Sequence, residues 1–146
     1  MTKSQQDLHA AFVLHTRMYK DTSLLVELFS KEHGLFSAVA RGVRKMNSPA
    51  KGLLQPFTPI WMNYFGRNEL VTLKAVEPRS LFYPLSGKNL FSALYLNELL
   101  LKVLNKHDPH PDLFLAYEKT LQALTQEENL EITLRRFEMQ LLTELG

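Results

Sequence analysis

The sequence predicts an α+β fold, a five-stranded β-barrel followed by an α-helical part, and three observations carry that prediction. Residues 12–77 hold five short stretches whose apolar residues fall at every second position, the period of a half-buried strand. Residues 88–145 change to spacings of three and four, the period of an amphipathic helix. Pro78 and the run Pro84-Leu85-Ser86-Gly87 separate the two regimes. The expected organisation is a barrel domain over 1–80 and a helical domain over 81–146.

The strands follow in order. From Phe12 to Met18, Phe12, Leu14 and Met18 share one face, with His15 and Arg17 on the other. Tyr19-Lys20-Asp21 makes a turn, and Thr22 to Phe29 places Leu24, Val26 and Leu28 inward. Lys31-Glu32-His33-Gly34 is a hairpin connection in which Gly supplies the positive-φ position. Leu35 to Arg41 forms the third strand, with Phe36, Ala38 and Ala40 inward and Ser37 and Arg41 toward solvent. Ser48-Pro49 then reads as a helix start, Ser as N-cap and Pro at the first position, leading to a turn or two that ends at Gln55-Pro56. Strands four and five, Ile60 to Phe65 and Glu69 to Glu77, are joined by Gly66-Arg67-Asn68. Five strands with a small helix between the third and fourth is the plan of an oligonucleotide-binding (OB) barrel, with other small barrels left open.

The helical part begins with Lys88 to Asn105, where Leu90, Phe91, Leu94, Leu99, Leu101 and Leu104 cover most of the circumference, as in a helix buried among others. Glu98 and Lys102 stand at ion-pair spacing. Asp108-Pro109-His110-Pro111-Asp112 breaks the pattern. A second helix follows, with Leu113, Phe114, Tyr117, Leu121 and Leu124 on one stripe. Glu127, Glu128 and Asn129 mark the next junction, and a third helix carries Leu130, Leu134, Phe137, Leu141 and Leu145.

Composition narrows the function. The chain of 146 residues is 45% hydrophobic and 22% charged, ordinary for a globular protein. It has no cysteine, which excludes disulfides and thiolate zinc sites and leaves any nitrogen ligation to five histidines. No apolar run approaches the roughly 18 residues that span a bilayer, and Met1 to His9 is polar and unlike a signal peptide. A cytoplasmic protein without membrane contact is expected. No P-loop, dinucleotide fingerprint or clustered carboxylates are present. His15, Asp21 and Ser23 lack the elbow and oxyanion donors of a nucleophilic triad. A non-enzyme without cofactor is therefore expected.

Charge is unevenly divided. Residues 1–80 carry eleven Lys and Arg against six Asp and Glu; residues 81–146 carry six against nine. No acid lies between Glu32 and Glu69, while Arg41, Arg44, Lys45, Lys51 and Arg67 all do. Such a field suits a polyanion, since phosphate contacts by Lys and Arg release condensed counterions. The five cations are the candidate nucleic-acid contacts, weighed against a solvated surface loop. Trp61 and Phe65, with Asn63 beside them, offer a stacking face, although packing against the helical part is the favoured explanation. Arg135 and Arg136 beside Leu134 and Phe137 suit an acidic peptide with an apolar end, unless Glu131 pairs with Arg135 on the helix surface. His107, Asp108 and His110 fit a solvated loop better than a metal site.

Several segments together resemble the RecO family of bacterial recombination mediators, in its gammaproteobacterial form. They are Ala11-Phe12-Val13-Leu14-His15, Thr22-Ser23-Leu24, Ala40-Arg41-Gly42, Leu54-Gln55-Pro56-Phe57-Thr58-Pro59, Pro84-Leu85-Ser86-Gly87, Leu94-Tyr95-Leu96-Asn97-Glu98-Leu99-Leu100 and Leu134-Arg135-Arg136-Phe137-Glu138. The resemblance implies an N-terminal OB-fold barrel joined to a helical domain. It also implies binding of single- and double-stranded DNA, strand annealing, and help in loading the RecA recombinase onto coated single strands at the nucleoid. Implied partners are RecR and the acidic C-terminal tail of single-stranded DNA-binding protein (SSB). Two features depart from the family pattern: its further helices are missing here, so the helical domain is incomplete, and so is its cysteine zinc site, so no metal is carried over. The alternatives are a protein-interaction module of the replication and repair machinery with secondary DNA binding, and a barrel that binds single-stranded RNA.

Overall fold

The computed structural model describes residues 7–45, 48–126 and 129–146; the polar N-terminus before Asp7 and the junction residues Glu127 and Glu128 lie outside these. Five strands form a closed barrel: β1 (His9–Tyr19), β2 (Ser23–Ser30), β3 (Gly34–Ala40), β4 (Ile60–Phe65) and β5 (Leu70–Pro78). Their order around the barrel is β1-β2-β3-β5-β4, with β1 pairing β4 to close it and β3 running parallel to β5. This is the OB plan. A one-turn 3₁₀ helix, Pro49–Gly52, sits between β3 and β4, and Ser48 makes no side-chain cap to it. Three helices follow: α1 (Gly87–Val103), α2 (Pro111–Thr125) and α3 (Leu130–Leu145).

Alternation explains most of the barrel interior. Val26 and Leu28 from β2, Phe36, Ala38 and Ala40 from β3, Ile60 and Met62 from β4 and Val71 from β5 point into one apolar cluster, which Leu54 plugs from the loop. β1 departs from the expected single inner face. Ala11 and Val13 face the barrel interior, while Phe12 and Leu14 face outward into a second cluster formed with the helices. A register shift between Val13 and His15 follows, and Met18 ends 72% exposed rather than sharing a buried face with Phe12. A bulge displaces the alternation by one residue, and a strand covered on both sides is apolar at consecutive positions.

The second cluster is the seam between barrel and helices. Phe12, Leu14, Phe29 and Leu35 meet Leu96, Leu100, Phe114, Tyr117 and Leu121 there, and Phe57 joins them. Phe57 holds a positive φ of 69°, a costly backbone geometry for a non-glycine residue that turns its ring away from the barrel interior filled by Leu54. Gly34 belongs to the same seam. Its φ is +72°, and a Cβ there would stand 2.6 Å from the carbonyl oxygen of Asp108; only glycine allows the β2–β3 turn and the α1–α2 loop to approach so closely.

α1 is buried on one stripe, not around its circumference as expected. Ala93, Leu96, Asn97 and Leu100 are buried, whereas Phe91 is 72% exposed and Leu94 and Tyr95 are also exposed. The residue at the centre of the buried stripe is polar. Asn97 donates to the Leu14 carbonyl at the β1 bulge, 3.2 Å away, and accepts from the Tyr117 hydroxyl. All five apolar residues expected on α2 are buried. On α3, Phe137 and Leu141 are buried and Leu145 is exposed. Asn129 caps α3 by accepting from the Ile132 amide at 3.1 Å.

Candidate nucleic-acid interface

One end of the barrel gathers positive charge because two connections are tied together there. The β1–β2 turn begins at Lys20, whose φ of 54° reverses the chain. The segment after β3 lies against it: the Arg44 amide donates to the Thr22 carbonyl at 2.9 Å, and the Gly42 amide donates to the Ser23 hydroxyl at 3.3 Å. Lys45 folds back so that its amide donates to the Gly42 carbonyl at 3.2 Å. These bonds form a cleft of about 690 Å³ whose cationic lining is Lys20, Arg41 and Lys45, with Asp21 as its acid and Leu70 to Thr72 of β5 as its floor.

The five expected cations therefore separate. Arg41 and Lys45 line the cleft and are exposed. Arg41 follows the last residue of β3 and lies in a turn, outside the strand proper. Arg44 is committed to the scaffold, its guanidinium donating to the Lys20 carbonyl at 3.1 Å. Lys51 lies on the 3₁₀ turn and Arg67 on the β4–β5 turn; both are exposed, and neither lines the cleft. Lys20 was missed by sequence reasoning. The signal that could have found it is its place in the β1–β2 turn, since in OB barrels that turn and the β4–β5 turn frame the oligonucleotide face.

The aromatic pair on β4 separates as well. Trp61 is 39% exposed and has the Arg79 guanidinium 5.9 Å from its ring centroid. Arg79 is held on the helical side: it pairs with Glu118 of α2 at 2.8 Å, donates to the Ile60 carbonyl at 3.3 Å and lies over the rings of Phe12 and Phe114. Trp61 thus stands at the barrel–helix seam, on the packing side. Phe65, at the far end of β4, is exposed.

On α3, Arg135 pairs with Glu138 at 2.7 Å and not with Glu131. Glu138 also accepts from the Tyr95 hydroxyl of α1, so this pair belongs to a small network across two helices. Arg135 and Arg136 border a shallow groove of about 500 Å³ with Ile132 and Met139. Arg136 also reaches a second groove, between α2 and α3, together with Lys119. The expected pair of Glu98 and Lys102 forms at 3.5 Å. His110 is flanked by Asp108 at 3.3 Å and Glu144 at 3.5 Å, whereas His107 turns toward the barrel, its amide donating to the Leu35 carbonyl at 2.8 Å. Among the described residues no helix is long and apolar enough to cross a membrane.

Comparison with known proteins agrees with this architecture. Residues 6–82 match the family model described as Recombination protein O N terminal, and residues 85–146 match Recombination protein O C terminal. The chain is 45% identical over 142 residues to the DNA repair protein RecO of Aliivibrio salmonicida, covering 97% of this chain and 60% of that protein. Over the same length and shares it is 46% identical to the DNA repair protein RecO of Haemophilus influenzae. It spans about 60% of the length of these relatives. With an OB barrel leading into helices, and both family models matched in order along it, the chain belongs to the RecO family of DNA repair proteins.

Proposed function

We propose that the chain is a non-enzymatic, DNA-binding recombination mediator. It holds single and double strands by their phosphates at the open end of the barrel and promotes annealing by offsetting the repulsion between two backbones. The observation that carries this is the cleft in which Lys20, Arg41 and Lys45 meet, at the turn where OB barrels take oligonucleotides. Residues 1–80 serve as the nucleic-acid-binding unit. Residues 81–146 serve as the partner-binding unit, with the Arg135 and Arg136 groove taking the acidic tail of SSB. RecR and, indirectly, RecA complete the set of partners, in the cytoplasm at the nucleoid.

The test is binding of labelled single-stranded DNA across a salt series. Three phosphate contacts predict a slope of log affinity on log salt of about −2, at −0.7 per contact. Arg41→Ala with Lys45→Ala is expected to bring the slope to about −0.7 and to weaken binding irrespective of base sequence. Lys51→Ala and Arg67→Ala change it by less than one contact each. An unchanged slope in the Arg41/Lys45 variant removes the cleft from the interface, and preference for RNA over DNA of the same sequence overturns the choice of nucleic acid.

A further inference from the structure

Away from the basic cleft, two imidazoles and a carboxylate converge on the opposite side of the barrel. His9 opens β1 and pairs across the closing seam with Met62 of β4. Glu32 and His33 belong to the β2–β3 turn, which is held in shape where the His33 amide donates to the Ser30 hydroxyl at 3.2 Å. The two imidazole rings stand edge to face, with centroids 4.3 Å apart. One ligand atom from each of His9, Glu32 and His33 lies within 4.8 Å of the other two.

The nitrogens are what make this a site. His9 Nδ1 and His33 Nε2 are shielded from solvent and make no hydrogen bond among the described residues, and the same holds for Asn63 Oδ1 on neighbouring β4. His9 Nδ1 approaches Glu32 Oε2 to 2.9 Å without the alignment of a hydrogen bond. A buried ring nitrogen left unpaired carries a desolvation cost; His33 Nε2 is one, and it belongs to the same cluster as the His9 imidazole and the Glu32 carboxylate. We infer that His9, Glu32 and His33 form a binding site for a zinc-class divalent cation that ties the start of β1 to the β2–β3 turn.

The donor set fits that class. Two imidazole nitrogens and one carboxylate oxygen are borderline ligands of the kind zinc takes, with a fourth position for water or another oxygen. Asp7, exposed, and Asn63 line a cleft of about 400 Å³ together with His9, His33 and Lys74, and offer further oxygen donors there. Zinc bonds near 2.0 Å place tetrahedral ligand atoms about 3.3 Å apart, so binding needs side-chain shifts of roughly an ångström. The site needs no cysteine. It also lies on the barrel, independent of the proposed DNA cleft, and holds whether or not that cleft binds DNA.

The experiment is titration of the metal-free chain with zinc chloride by calorimetry, together with cobalt chloride followed by visible absorption. One equivalent of zinc is expected to bind, with cobalt showing the intense bands of a four-coordinate site. Zinc at about 100-fold over its Kd should raise Tm by about 5 to 10 °C. His9→Gln and His33→Gln should each weaken binding at least tenfold, while His110→Gln, on the α1–α2 loop, leaves it unchanged. Glu32→Gln keeps the shape of the turn and should also weaken binding, which separates loss of a ligand from loss of fold. Absence of zinc binding by the wild-type chain, a six-coordinate cobalt spectrum, wild-type affinity in His33→Gln, or loss of binding in His110→Gln overturns the assignment.

Discussion

Tyr117 shows how much one residue can be asked to do. It is wholly buried in the seam, touches the Phe12, Phe29 and Phe137 rings, and gives its hydroxyl proton to Asn97. Burial pushes its pKa far above the ordinary 10.0. The folded state therefore keeps a proton that the unfolded state gives up above pH 10. Stability falls as pH rises past that point, by about 1.4 kcal/mol per unit while the unfolded tyrosine is ionised and the folded one is not. Tyr117→Phe is expected to flatten this alkaline loss in urea unfolding series. At neutral pH it costs about 1 to 3 kcal/mol, because the Asn97 carbonyl loses its donor in a buried place. An alkaline profile unchanged from wild type contradicts this account. Leu14 belongs to the same arrangement, since the bulge turns its carbonyl out to the Asn97 amide.

At the scale of elements, α2 was legible in the sequence and α1 was not. The α2 stripe is regular, and every residue on it is buried. α1 has apolar residues on several sides, of which Phe91, Leu94 and Tyr95 face out; periodicity records which residues are apolar and not which neighbours are present to cover them. The strands divide in the same way. The inward faces of β2 and β3 followed alternation, but Phe29 and Leu35 on their outer faces are buried under the helical layer, and Ser37, expected toward solvent, is buried beside Glu27 and Lys106; β1 departs further because of its bulge. On α3 the two arginines differ in their commitments. Arg135 is paired with Glu138, whereas Arg136 makes no ion pair among the described residues. If the groove takes an acidic peptide, Arg136→Ala is expected to weaken binding by about 5- to 30-fold, the value of a charge-assisted hydrogen bond or two, and Arg135→Ala by less. Fluorescence anisotropy with a labelled acidic tail peptide measures this. Wild-type affinity in both variants removes the groove from partner binding.

For the molecule as a whole, barrel and helices are joined by a shared core and by two ion pairs, Arg79 with Glu118 and Lys106 of the α1–α2 loop with Glu27 of β2. Phe12, Leu14, Phe29 and Leu35 are as much part of the helical core as of the sheet. Arg79 fastens the end of β5 to α2 through Glu118 while bridging the Phe12, Phe114 and Trp61 rings. Removing Glu118 leaves that guanidinium without its counter-charge in a largely buried place, which predicts a loss of roughly 1 to 3 kcal/mol for Glu118→Ala. Trp61 is the chain's one tryptophan, so its emission reports the seam directly. A shifted emission in Glu118→Ala, with the unfolding midpoint lowered, is the expected result; an unchanged spectrum and midpoint contradicts it.

The sequence by itself determined the number and order of strands, the change from barrel to helices near Pro78, and the basic stretch that follows β3. Each of these is local: burial along a single segment imposes a period, and turns need particular residues. Only the tertiary structure decided which cations meet. Lys20 and Arg41 are brought to one cleft by the pairing of β2 with β1 and β3, by one backbone bond between the turns and by one from the Gly42 amide to the Ser23 hydroxyl, while Arg44, in the middle of the same basic run, is spent holding those turns together. His9 and His33 meet for the same reason, where the start of β1 pairs with the end of β2. A binding surface is made of residues distant in the chain, and the distances between them are set by packing, which no period along the sequence contains.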